Sequence, residues 1–333
     1  MSSLVPCAPL YRLQVMGVTL QRYRYFANGV QSIFRSHDEM MVRRQVQVSA
    51  LITDLDNTLW DWVHIWYSGF TPMLEELVRI TSIDRETLER EIRTIHQLRG
   101  TSEYSHLLQE LPSLKTWAGK EDFVGLLEPA IDAYRAGRRE SMRLYPTVLS
   151  TLTTIRNSGC KIIAYTESKA YYTNYRIRKF GLDGIIDVVY SPADHDFPDG
   201  VSPEQLRTMP HGYYDFQSTE HRLTPSDAMK PDRRVLETII TELKLSRSRI
   251  AYVGDSLTKD VSMAQEVGVI DVYAQYGLAQ HSEEYQLLRK VTHWSNQDVE
   301  RERELLSRPL VTPSYTLQQF GELLEMFSFT LLR

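Results

Sequence analysis

Apolar and polar positions follow two rhythms along the chain. Unbroken apolar runs at residues 48–53, 161–165, 185–190, 249–253 and 269–274, with a weaker one near Leu310, have the length and continuity of strands buried on both faces. Between them, apolar positions recur every three to four residues. Residues 147–158 place Val148, Leu152 and Ile155 on one face and stop at Gly159; residues 233–243 do the same with Val235, Leu236, Ile239 and Ile240. This alternation predicts an α/β fold built on a doubly wound parallel sheet, Rossmann-like in plan.

One region breaks the rhythm. From Trp62 to Leu144 there is no strand pattern. Leu88, Ile92 and Ile95 make a helical stripe between Asp84 and Gly100, and Phe123, Leu127, Ile131 and Tyr134 make another. This predicts a small all-helical domain, residues 62–144, inserted into a core of residues 46–61 and 145–333. The hinges fall near residues 61–62 and 145–146, where Pro146 fixes a backbone dihedral. A second irregular stretch, residues 194–229, is rich in Pro, Gly, Asp and His without periodicity and reads as a long loop insertion within the core.

Composition narrows the partners. The chain is 42% hydrophobic and 24% charged with a formal net charge of −5, an ordinary globular balance with no attraction for nucleic acid. No run approaches the roughly 20 apolar residues of a membrane span. Two cysteines, Cys7 and Cys160, are too few for a disulfide framework and suit a reducing compartment. The expectation is a cytoplasmic protein without nucleic-acid or membrane partners, its oligomeric state left open. Residues 1–45 stand apart: up to His37 they carry Arg12, Arg22, Arg24 and Arg35 but no Asp, Glu or Lys. They read as a disordered N-terminal extension, or as translation begun ahead of a natural start at Met40 or Met41. An organellar targeting segment is the alternative.

The candidate chemistry sits in four places that follow, or nearly follow, predicted strands. All four would therefore meet at the sheet edge where strand carboxyl ends gather. They are Asp54-x-Asp56-x-Thr58, then Thr166, then Lys230, then Asp255 and Asp260 within Val-Gly-Asp-Ser-Leu-Thr-Lys-Asp. Converging in a site of low dielectric, Asp54, Asp56 and Asp255 repel one another unless a cation joins them. All-oxygen ligation favours magnesium. With Lys230 and a threonine hydroxyl beside them, such a group is a receptor for a phosphoryl group.

In this order and strand context, the four segments resemble the four motifs of the haloacid dehalogenase superfamily over residues 48–280. The helical insertion between the first and second resembles the cap domain of one large branch. The resemblance implies a magnesium-dependent phosphatase acting on a small phosphorylated metabolite. Asp54 would be the nucleophile that forms an aspartyl-phosphate, and Asp56 the general acid and then base, its carbonyl also binding magnesium. Thr58 would orient Asp56, Thr166 would bond the phosphoryl group, and Lys230 would offset charge. Asp255 would ligate magnesium, and Asp260 would support the metal or position Lys230. An acidic residue at Asp56 favours phosphate-ester hydrolysis over carbon–halogen cleavage. Glu167 stands where the family often has Asn, placing negative charge near the phosphate unless it turns toward Lys230 or solvent. The rival functions are a phosphomutase or phosphotransferase sharing the intermediate, and a silent metabolite sensor or interaction protein using the long loop.

Each residue also has a plainer reading. Asp54, Asp56 and Asp255 could cap helices or turns, and Lys230 could be a surface lysine. Trp60, Trp62 and Trp66 either pack cap against core or wall the substrate's leaving group, with Glu167 and Ser256 as further contacts. His195, His211 and His221 match no zinc spacing and read as solvated loop residues.

Overall fold

A computed structural model describes residues 45–119, 123–194, 215–278, 283–295 and 311–331, together with Gly212 and a few positions between 297 and 304. Its strands are β1 Val46–Val48, β2 Ala50–Thr53, β3 Lys161–Tyr165, β4 Val188–Ser191, β5 Glu220–Leu223, β6 Ile250–Gly254, β7 Ile270–Ala274, β8 Tyr315–Leu317 and β9 Phe327–Phe329. Seven form one parallel sheet in the order β5-β4-β3-β2-β6-β7-β8. The chain leaves the central β2 toward both edges, so the sheet is doubly wound. Because β2 lies between β3 and β6 and is covered on both faces, all four of its residues are buried. That is why its sequence is apolar at successive positions.

Two differences from the sequence reading concern strands. The predicted run 48–53 is two strands: β1 pairs with β9 in a separate two-stranded parallel sheet, and the chain passes through Ser49 into β2. The stretch expected to be loop, 194–229, contains the edge strand β5, which pairs with β4. Its entry is fixed by the Asp183 carboxylate, which accepts from the amides of Gln217, Ser218 and Thr219 at 2.8, 3.0 and 2.9 Å. Glu-His-Arg-Leu at an edge needs no apolar run, so none announced it. His221, on this strand, is half-buried and bonds Ser191 Oγ through Nε2 at 2.8 Å, so it is not a solvated loop residue. Leu310, His195 and His211 lie outside the described residues.

After β2 the insertion contributes five helices among the described residues: α1 Trp62–Thr81, α2 Arg85–Arg99, α3 Leu107–Glu110, α4 Pro112–Ala118 and α5 Phe123–Ser141. Asp61 and Asp84 cap α1 and α2, accepting from His64 N and Thr87 N at 2.9 Å each. The sheet itself is covered on one face by α6 Val148–Asn157 and α7 Ala170–Lys179, and on the other by α8 Arg234–Leu243 and α9 Ser262–Val267. A further helix, α10 Glu283–Val291, belongs by sequence to the core but packs on the insertion. Leu287, Leu288 and Val291 join Val63, Phe70, Ile92 and Ile95 in one apolar cluster. His96 Nδ1 bonds Val291 O at 2.6 Å, and His64 pairs with Glu284 at 2.9 Å. No helix among the described residues is long and apolar enough to cross a membrane.

Candidate active site

The strand register levels Thr53 with Ala164 on one side and Val253 on the other. The residues that follow these strands, Asp54, Thr166 and Asp255, are thereby delivered to one edge of the sheet. Asp54 N extends the pairing by donating to Val253 O at 2.8 Å. The loop after β2 then turns tightly, with Leu59 N on Leu55 O at 2.8 Å and Asn57 in the left-handed region that Asn tolerates. Gly277 lets the turn after β7 press against it: a Cβ there would stand 1.8 Å from Asn57 O.

Asp54, Asp255 and Asp260 bring carboxylate oxygens within 4.8 Å of one another. The ammonium in their midst is Lys230, with Nζ 2.7 Å from Asp54 Oδ1 and 2.9 Å from Asp260 Oδ1, over the rings of Tyr165 and Tyr252. Lys230 is almost wholly buried, which alone would lower its pKa; Asp260 and Asp54 outweigh burial and hold it well above the ordinary value. Burial pushes the Asp54 carboxyl up to about 7, against the pull of Lys230 and with the repulsion of Asp260. Asp255 is raised well above its ordinary value by burial, then by Asp260 and Asp54.

Three carboxylates against one ammonium leave a deficit of two charges, which a divalent cation matches. The donor set fits magnesium. Asp260 is already engaged: Tyr252 Oη donates to Oδ1 at 2.9 Å, and Ser256 N to Oδ2 at 3.1 Å. Of the two roles foreseen for Asp260, the geometry matches positioning of Lys230. Gly254 makes room for it, since a Cβ there would lie 2.3 Å from Asp260 Cγ. Ser256, foreseen as a substrate contact, is part-buried and holds this loop, its Oγ accepting from Lys259 N at 3.2 Å.

Asp56 has different neighbours. Trp60 Nε1 donates to Oδ1 at 2.6 Å, and Ser168 Oγ is hydrogen-bonded to Oδ2. The indole N–H is a donor only, so when Asp56 is neutral its proton sits on Oδ2, the oxygen it shares with Ser168. Burial raises the Asp56 carboxyl, while Arg176 and Ser168 oppose the rise. Arg176, on α7, is fully buried, with Nη1 3.9 Å from Asp56 Oδ1. Its Nη2 is bonded to Glu103 of the insertion. Burial drives the Glu103 carboxyl up, but Arg176, Arg138 and the Trp62 indole together hold it below the usual range.

Several expectations change. Thr58 does not orient Asp56: its buried Oγ1 has no hydrogen-bond partner among the described residues, and its carbonyl accepts from Tyr276 Oη at 2.7 Å. Trp60 and Ser168 do the orienting. Thr166 Oγ1 accepts from Ser168 N at 3.1 Å, leaving its own proton to donate. Glu167 turns toward two lysines, accepting from Lys230 N at 2.8 Å and pairing with Lys259 at 3.0 Å. The tryptophans form no open aromatic wall. Trp60 and Trp66 are about 1% exposed, Trp66 stacking on Phe70 and donating to Ser102 O at 3.1 Å. Trp62 is partly buried and donates to Glu103 Oε2 at 3.1 Å. Arg176 and Glu103 carried no sequence signal. A serine two residues past Thr166 is the one hint the spacing offered.

A family model described as haloacid dehalogenase-like hydrolase matches residues 48–268. A curated relative, the glyceraldehyde 3-phosphate phosphatase of Methanopyrus kandleri, is 21% identical over 262 residues, which are 78% of this chain and 96% of that protein. Among solved structures, the 2-haloacid dehalogenase of Pseudomonas syringae pv. Tomato DC3000 is 16% identical with a TM-score of 0.48, covering 84% of this chain and 98% of that one. The phosphatase of Thermococcus onnurineus is 18% identical with a TM-score of 0.44, covering 85% and 100%.

Proposed function

We propose that this chain, which belongs to the haloacid dehalogenase-like hydrolases, is a magnesium-dependent phosphatase that hydrolyses a small phosphate monoester. The observation that carries the reading is the pairing of Asp54 with Lys230 inside the Asp54, Asp255 and Asp260 group. Asp54, the Asp56 carbonyl and Asp255 would hold the magnesium, which supplies positive charge to the phosphoryl oxygens when bound.

Lys230 and the Thr166 hydroxyl face the same oxygens and position the phosphorus over Asp54. An Asp54 oxygen attacks, forming the aspartyl-phosphate, and Asp56 gives its proton to the departing oxygen. Asp56, now a carboxylate, takes a proton from the water that attacks the phosphorus and frees Asp54. The helical insertion would cover the site, excluding bulk water and suiting a small metabolite. The name of the relative, a phosphatase of glyceraldehyde 3-phosphate, supports the same class.

The test is magnesium-dependent phosphate release from p-nitrophenyl phosphate by the wild type and by Asp54→Asn. The variant should lose at least about 10⁴-fold in kcat, as nucleophile removal does elsewhere. Equal rates from the two proteins would sink Asp54 as nucleophile.

A further inference from the structure

Glu103 and Arg176 form a buried ion pair between the helical insertion and the core, and its second guanidinium nitrogen faces Asp56. A guanidinium between two carboxylates must divide itself. Here Nη2 bonds Glu103, whereas Nη1 stands 3.9 Å from Asp56 Oδ1, beyond hydrogen-bond reach. Asp56 is left to Trp60 and Ser168. Glu103 is itself fixed by Trp62 Nε1, at the start of the insertion. Among the described residues Nε and Nη1 of Arg176 have no hydrogen-bond partner, so the side chain has unspent donor capacity next to Asp56.

We propose that Glu103 and Arg176 are positioning residues for Asp56: by holding Arg176, Glu103 keeps the guanidinium off the Asp56 carboxylate and leaves that group free to serve the leaving oxygen. Without Glu103, a buried arginine with one carboxylate in reach pairs with it through two parallel bonds. Asp56 is then turned toward α7 and away from the leaving oxygen. The placement of the insertion thereby reaches the acid through two side chains, and the acid is competent only when Glu103 is seated. This inference rests on the phosphatase reading and assigns residues that reading does not require.

The experiment compares kcat/KM for two esters on the same sample. Cleavage of p-nitrophenyl phosphate, whose leaving group departs without a proton, barely needs Asp56; cleavage of glycerol 2-phosphate does. Because kcat/KM covers steps only through the first irreversible one, later hydrolysis of the aspartyl-phosphate does not enter. The ratio of the two rates also cancels any loss of folded protein. Glu103→Gln should lower the glycerol 2-phosphate value about 10- to 100-fold, a part of the roughly 10²–10⁴-fold that acid catalysis supplies, and the aryl value less than about threefold. Adding Arg176→Met to Glu103→Gln removes the competing guanidinium and should restore most of the ratio. A purely structural strap lowers both esters together. An unchanged ratio in Glu103→Gln, or no recovery in the double variant, overturns the proposal. If the wild type cleaves neither ester, the phosphatase reading falls first and takes this inference with it.

Discussion

Asp54 and Asp56 lie two residues apart on one loop, yet the molecule treats them differently. Both are raised by burial, but the compensation differs in kind. Around Asp54 the structure gathers further carboxylates and a single lysine, an arrangement that is stable only with more positive charge. Around Asp56 it gathers hydrogen-bond donors and an arginine whose charge is already claimed by Glu103. The first environment favours an ionised carboxylate beside a cation. The second tolerates a proton on one defined oxygen. A division between nucleophile and acid thus follows from surroundings, not from the residue type.

The largest effect expected from breaking that division is kinetic. Asp56→Asn should cost about 10²–10⁴-fold in kcat/KM for an alkyl phosphate and far less for an aryl phosphate. Steady-state rates on both esters check this, and equal losses would show that Asp56 is not the acid. Next comes the lysine. Removing one member of a buried ionic group typically costs about 3–5 kcal/mol. Lys230→Met should lose that much stability in chemical denaturation at neutral pH, with part of it returned by millimolar magnesium. A loss that magnesium cannot touch would mean that the carboxylates are not mutually repelling.

Magnesium itself should stabilise the wild type by about 2.7 kcal/mol at one hundred times its dissociation constant. Asp255→Asn should abolish most of that gain, while Asp56→Asn should keep it. The sign with pH follows from Asp54. With its metal-free pKa raised to about 7, it is increasingly protonated as pH falls below that value, and the cation must displace the proton. Thermal shifts measured between pH 8 and pH 5.5 should therefore shrink toward the acid side. A shift independent of pH would contradict the raised carboxyl.

The same contrast explains what the sequence revealed. Asp54, Thr166 and Asp255 follow strands whose apolar runs are continuous because the sheet is covered on both faces, so the strands and their ends could both be read. The surroundings of Asp56 could not. Arg176 reads as an ordinary basic residue on α7, and only Glu103, 73 residues earlier, accounts for its burial. Ser168 is one serine among many. β5 was missed because an edge strand carries no apolar signal. The apolar stripe of Leu287, Leu288 and Val291 announces a buried face on α10 but not that the insertion is what buries it. Local pattern shows that a face is covered; which distant segment covers it is a matter of tertiary geometry.

The smallest prediction concerns that contact, far from either aspartate. His96 is fully buried where α2 meets α10, tilted against Phe70, with Nδ1 on Val291 O at 2.6 Å and Nε2 without a partner among the described residues. The carbonyl makes Nδ1 the protonated nitrogen of the neutral ring, so a second proton would go on the partnerless Nε2. Burial accordingly lowers the pKa from 6.5 to about 4. Below pH 6.5 the unfolded chain takes up a proton that the folded chain refuses until about pH 4. The contribution of His96 is therefore fully present above 6.5 and is lost between the two values, at about 1.4 kcal/mol per pH unit. Denaturation of the wild type and His96→Gln at pH 7.5 and pH 5 isolates it. The wild type should lose about 2 kcal/mol more than the variant over that interval. Identical losses would mean that His96 is reached by solvent and that α10 does not seal it.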